Sequence, residues 1–192
     1  MIERKLMTNT NHKHIFAILF IILCTFMAFN KETRKEIEAT EEKVAKLVDP
    51  KQLACLAQNI YHEAGSESTE GKAAVARVVM NRINYGFANT PCSVVYQSNL
   101  VRNGYDELVK LCQFSWVCEG KTAPNENNPR YQKSLKVAYD VLAYDEYQDI
   151  LPKSALFFHN TSVDPQWPYQ RIDTIGNHVF YSKTKVKKHK RY

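Results

Sequence analysis

The chain has 192 residues, of which 44% are hydrophobic and 24% charged; this gives room for one globular domain with short accessories and excludes a multidomain chain. The net charge of +6 is not spread evenly, because the tail 183–191 holds enough Lys and Arg to account for the whole excess. Eleven Tyr, nine Phe and two Trp are a generous aromatic supply that could serve a core, sugar rings or nucleobases equally well.

In chain order, Arg4, Lys5 and Lys13 precede an apolar run over 15–29 interrupted by no polar residue except Thr25. A run of about 15 residues is short for a membrane span and typical of an export signal. Ala28 lies among Phe26, Met27, Phe29 and Asn30, which do not make a small-x-small cleavage site, so an uncleaved anchor is the favoured expectation. Residues 1–30 are thus read as signal peptide or membrane anchor, with everything beyond facing outward in the cell envelope. That placement conflicts with nucleic-acid binding by the basic tail 183–192, which is expected to be solvated or to touch phospholipid or wall polymer. Residues 31–48 mix both charge signs without Gly or Pro and read as a helical spacer.

The domain proper, 49–182, opens at Asp49-Pro50, an N-cap followed by proline at the first helical position. Leu53, Leu56, Ala57, Ile60 and Ala64 recur at helical spacing up to Gly65-Ser66. A second helix is predicted over 70–83 and a third over 128–144. Short strands are predicted at 93–96 and 155–159, and a hairpin at 174–181 with Gly176-Asn177 at its turn. Helices first and small strands later define an α+β domain. Cys55, Cys92, Cys112 and Cys118 allow three complete pairings, and an oxidising compartment favours one or two disulfides. A zinc cluster is not expected from their spacing.

Glu63 lies near the end of a largely apolar helix, before a glycine-containing loop. Desolvation and the negative end of the helix dipole both favour its protonated form, the property a general acid needs near neutral pH. By itself this is weak, since a helix-terminal Glu is commonly a solvated charge. His62 beside it lacks the His-Glu-x-x-His spacing of a metal pair.

The stretch Ile60-Tyr61-His62-Glu63-Ala64-Gly65-Ser66-Glu67, continuing through Gly71-Lys72-Ala73-Ala74-Val75-Ala76-Arg77 to Met80-Asn81-Arg82, resembles the signature of the SleB-type cell wall hydrolases. Cys112-Gln113-Phe114-Ser115-Trp116-Val117-Cys118-Glu119-Gly120 resembles the family's central motif. Ala155-Leu156-Phe157-Phe158-His159-Asn160 and Ile175-Gly176-Asn177-His178-Val179-Phe180-Tyr181 resemble its closing blocks. Two departures, Gly65-Ser66 where many members carry Arg-Gly and Glu119 where Asp is common, bear on loop geometry rather than on the acid.

The resemblance implies a lysozyme/lytic-transglycosylase-like domain, mainly helical with a small antiparallel sheet, that acts on peptidoglycan glycan strands without cofactor or metal. Glu63 would be the single catalytic acid/base. It would protonate the oxygen leaving N-acetylmuramic acid, then take the sugar's own 6-hydroxyl proton as a 1,6-anhydro ring closes. Candidate substrate contacts are Glu67, Gln113, Ser115, Trp116, His159, Asn177 and His178. Each has a duller reading: a loop salt bridge for Glu67, core packing for Trp116, strand and hairpin capping for His159, Asn177 and His178. A zinc-dependent muramoyl-alanine amidase and a non-catalytic peptidoglycan-binding module are the alternatives.

Overall fold

The computed structural model describes residues 26, 27, 29–31, 33–40, 43 and 48–185. The chain divides into two compact units, 1–47 and 48–192. In the first unit every described residue is helical, and the Thr33 and Thr40 hydroxyls donate back to the carbonyls of Phe29 and Glu36. Among the described residues no helix is long and apolar enough to cross a membrane. Most of the apolar run at 15–29 and all of residues 186–192 lie outside them.

The second unit begins with α1 (Pro50–Ala64), whose Asp49 cap accepts from the Lys51 N–H. Gly65 ends the helix for reasons of space rather than of φ, which is −59°. A Cβ there would stand 2.4 Å from the Tyr61 carbonyl oxygen. Helix α2 (Thr69–Asn84) starts at Ser68, whose hydroxyl accepts from the Gly71 N–H. It is buried on two sides. Ala73, Ala76 and Val79 face α1 and the other helices, whereas Ala74 and Val78 face the sheet with Ala155 and Phe180. This double burial explains its run of small apolar residues. Its polar C-terminal turn is stitched to the sheet edge: the Asn81 amide donates to the carbonyls of Pro152 and Ala155, and Arg82 Nε to that of Leu156.

Residues 93–96 are not a strand. Residues 93–95 lie in the short helix α3 (Pro91–Val95) and Tyr96 is its C-cap; Thr90 and Ser93 form a reciprocal capping box and Pro91 occupies the first turn. Local capping overrides the strand preference of the Val-Val pair. A projecting hairpin follows, β1 (Ser98–Arg102) and β2 (Leu108–Cys112), then the single turn α4 (Ser115–Cys118) and α5 (Pro129–Tyr144), capped by Asn128 and packed on α1 and α2.

After a 3-10 turn at Gln148–Ile150 come β3 (Ala155–Asn160), β4 (Tyr169–Ile175) and β5 (His178–Lys185), an antiparallel sheet of order β3-β5-β4. The register sets His159 opposite Val179 and Thr174 opposite Val179 on the other side. In the two-residue turn Gly176-Asn177 only Gly176 has a positive φ, 57°, the pattern of a II′ turn. Residues 183–185, read from the sequence as tail, belong to β5, and the Lys183 ammonium sits 5.0 Å from the Tyr85 ring centre. Two disulfides, Cys55–Cys92 and Cys112–Cys118, realise one of the three possible pairings. The first ties α1 to α3, the second ties the foot of the projecting hairpin to α4.

Candidate active site

Glu63 is the penultimate residue of α1, so its side chain leaves the helix where the chain turns away and the wall of the domain opens. There it borders a cleft of about 400 Å³ together with Arg82, Gln113, Phe114, Ser115 and His159, roofed by the β3–β4 segment carrying Val163, Pro165 and Trp167. Loss of water around Glu63 is the main cause that pushes its carboxyl up to about 7. Lys121 and Arg82 pull against that shift, and Glu119 adds to it. Glu119 is engaged with Lys121 at 2.7 Å, both side chains being half exposed. Glu63 is the one carboxylate among the residues lining the cleft.

Three of the residues singled out from the sequence join Glu63 in this cleft: Gln113, Ser115 and His159. His159 is held in place by two contacts. Its Nδ1–H donates to the Asn160 carbonyl, and in the neutral ring Nε2 accepts from the Tyr181 hydroxyl, both at 2.9 Å.

The other four do not line it. Trp116 is 3% exposed, its indole N–H donates to Asn59 Oδ1 at 3.1 Å, and its ring stacks on His62 at 4.4 Å. It is a core residue under α1 rather than a stacking platform, because the one-turn helix α4 points it inward. Glu67 and Asn177 satisfy each other. Glu67 Oε1 accepts from the Asn177 side-chain amide at 2.8 Å and Oε2 from its backbone N–H at 3.1 Å. His178 is 3% exposed, and burial lowers its pKa, keeping the ring neutral.

The Glu67–Asn177 contact latches the α1–α2 loop to the β4–β5 turn, and it needs glycine at Gly176. A Cβ there would lie 2.1 Å from Glu67 Oε2, on a residue already at positive φ. Gly176→Ala is therefore expected to cost about 1–3 kcal/mol, read as a lower Tm. Wild-type stability in that variant would contradict the latch.

Sequence reasoning missed Arg82 and Trp167. Arg82 is 3% exposed although it borders the cleft. Trp167 lies between β3 and β4, edge-on to Phe157, Tyr169, His159 and Tyr181 at 5.4–6.3 Å. Phe157 and Tyr169 stack at 4.7 Å. An aromatic cluster presenting Trp167 at the cleft mouth is what sugar-ring stacking needs. The signal available in the sequence was only a tryptophan next to a proline in a loop.

Comparison with known proteins places this α+β domain, with its one desolvated acid in an aromatic cleft, in a known family. A profile of the cell wall hydrolase family matches residues 66–181, and the chain belongs to that family. The matched span begins just after Glu63. The spore cortex-lytic enzyme of Bacillus subtilis (strain 168) is 26% identical over 132 residues, which are 67% of this chain and 36% of that enzyme. The chain thus spans little more than a third of that relative's length. The catalytic domain of the germination-specific lytic transglycosylase SleB from Bacillus anthracis shares the fold, with a TM-score of 0.51 at 22% identity over 70% of this chain and 97% of that domain. The catalytic domain of the Bacillus cereus SleB protein gives a TM-score of 0.49 at 21% identity, over 70% of this chain and 91% of that one.

Proposed function

We propose that the domain cuts peptidoglycan glycan strands as a lytic transglycosylase, with Glu63 as acid and then base. The observation that carries this reading is a single cleft carboxyl pushed up to about 7 by desolvation. A group at that value holds its proton well enough to give it to a glycosidic oxygen, and its conjugate base is strong enough to take one back. The protonated Glu63 passes its proton to the oxygen leaving muramic acid C1, and that C–O bond breaks. The Glu63 carboxylate then accepts the 6-hydroxyl proton while O6 bonds to C1. Glu63 ends as it began, and no water is consumed. Glycosidases that hydrolyse with a carboxyl pair need a second acid across the bond. Among the residues lining this cleft Glu63 is the single carboxylate.

Trp167 at the mouth is the stacking surface for a sugar face, with Gln113, Ser115 and His159 available to its hydroxyl and acetamido groups. Trp167→Ala is expected to weaken binding to purified sacculi by roughly 5–20-fold, with a smaller change in turnover of bound glycan. Unchanged binding would remove Trp167 from the site.

The apolar run at 15–29 and the charged residues after it support export, with retention at the membrane, as the route by which the domain reaches its substrate. The amidase reading requires a metal donor set. Among the described residues no group of three or more His, Cys, Asp and Glu is placed to hold an ion. A reducing-end assay on digested sacculi tests the reaction type directly. Glycan solubilised without new reducing ends is the expected result, and new reducing ends in proportion to cuts would mean hydrolysis.

A further inference from the structure

Arg82 is the buried cation of the cleft, and the roles given above to other residues leave it unexplained. Burying a guanidinium is costly unless a carboxylate or phosphate pairs with it. Here Nε donates to the Leu156 carbonyl at 2.8 Å, and the guanidinium lies 5.0 Å from the centre of the Phe114 ring and 5.9 Å from those of Phe87 and Phe157. Its Nη1 is buried without a hydrogen-bond partner. The ion pairs among the described residues do not join it to Glu63, although the two charges act on one another. A carbonyl and three aromatic faces therefore fix the cation close to the acid without neutralising it.

This arrangement suits a group that must both give and take a proton. A direct ion pair would hold Glu63 ionised, and no cation at all would leave its carboxylate stranded in a dry site. We propose that Arg82 is a positioning residue of the reaction, its caged guanidinium stabilising the Glu63 carboxylate that forms as the proton passes to the leaving oxygen. The inference rests on Glu63 being the acid–base. Of the charged and titratable groups around Glu63, Lys121 is already engaged by Glu119 after α4. His159 on β3 is bonded to Asn160 and Tyr181, and burial lowers the pKa of His62 on α1. Arg82 on α2 is the charge left uncompensated.

The test compares turnover of sacculi against pH for the full chain, Arg82→Met and Arg82→Lys, with sacculus binding and thermal melts measured alongside. Without the cation Glu63 keeps its proton to higher pH. The alkaline limb of the Arg82→Met profile is therefore expected to move up by about one unit. Its maximal turnover should fall on the order of 10–100-fold with binding retained. Arg82→Lys should lie between the two on both measures. A folded Arg82→Met whose alkaline limb stays in place overturns the proposal, because a merely structural role lowers activity at every pH alike. If Arg82→Met does not fold, Arg82→Lys decides. Turnover reduced about fivefold or more with a partly raised limb supports the role, and a wild-type profile overturns it. Residual activity in Glu63→Gln would instead defeat the assignment of Glu63, whatever Arg82 does.

Discussion

Glu63→Gln is expected to lower glycan cleavage below detection, by more than about a thousandfold, while leaving sacculus binding intact, since the amide keeps the shape of the acid but has no proton to give. In the wild type, cleavage should fall as pH rises through about 7, where Glu63 loses its proton. The same substitution should raise stability. In the folded protein Glu63 holds its proton to about 7, against an ordinary value of 4.5, so ionisation opposes folding. The penalty is absent below about pH 4, grows between the two values and is complete above the higher one. Its limit is about 3 kcal/mol. Because Glu63 is half-buried and borders an open cleft, about 2 kcal/mol is expected at pH 8.5. An inactive variant that melts higher than the wild type at alkaline pH, and identically near pH 4, would identify a site where function is maintained against stability. Equal melting at both pH values would mean that Glu63 is solvated and unsuited to the role.

Removing the Cys55–Cys92 disulfide should give the largest loss of stability. It closes a segment of 37 residues between α1 and α3, whereas Cys112–Cys118 spans 6. In the chain-entropy description the first contributes about 4 kcal/mol and the second about 2. Cys55→Ala/Cys92→Ala is accordingly expected to melt roughly 10 °C lower or more. The functional order should be reversed. Cys55–Cys92 lies behind α1, away from the residues that line the cleft, so the folded protein without it should still cut glycan. Cys112–Cys118 brackets Gln113 and Ser115, both on the cleft wall, and its loss frees the segment that carries them. Cys112→Ala/Cys118→Ala should therefore lose several-fold in turnover while melting higher than the other double variant. Paired melts and sacculus turnover on the two variants check this, and the opposite ranking in either measure would contradict it.

Much of this architecture is legible in the residues. Asp49-Pro50 and Asn128-Pro129 announce their helices with cap and first-turn proline, and the stripe of α1 and the Gly176-Asn177 turn are local signals that tertiary context leaves alone. The misread segment, 93–96, carries competing local signals. Val94 and Val95 favour a strand, but Thr90 and Ser93 cap a helix, and the cap prevails where Cys92 is tied to α1. The projecting hairpin β1–β2 gave no clear pattern, because its aliphatic residues, such as Leu100, Leu108 and Leu111, remain largely exposed rather than alternating between core and solvent.

The site was legible in part for a physical reason. Glu63 is singled out by the motif around it more than by its helix-end context, and Gln113, Ser115 and His159, which line the same cleft, come with the motifs around them. Whether an aromatic lines a cleft or fills a core depends on which way a single turn of helix faces. Trp116, a candidate for either role, fills the core, and Trp167, which the sequence did not single out, lines the cleft. Glu67 is a candidate substrate contact in the sequence, but the chain leaves the helix before it and sends its carboxylate to the β4–β5 turn. Arg82 reads as an ordinary helix-terminal cation until Phe114, Phe87 and Phe157, distant in sequence, close around it.

The most direct measurement is mass spectrometry of the muropeptides that the full chain and its Glu63→Gln variant release from purified sacculi. Wild-type protein should yield fragments ending in 1,6-anhydro-muramic acid, lighter by one water than their hydrolytic counterparts, and Glu63→Gln should yield none. Fragments with ordinary reducing muramic ends, free stem peptides, or anhydro products from the Glu63→Gln variant would each contradict a single-acid transglycosylase centred on Glu63.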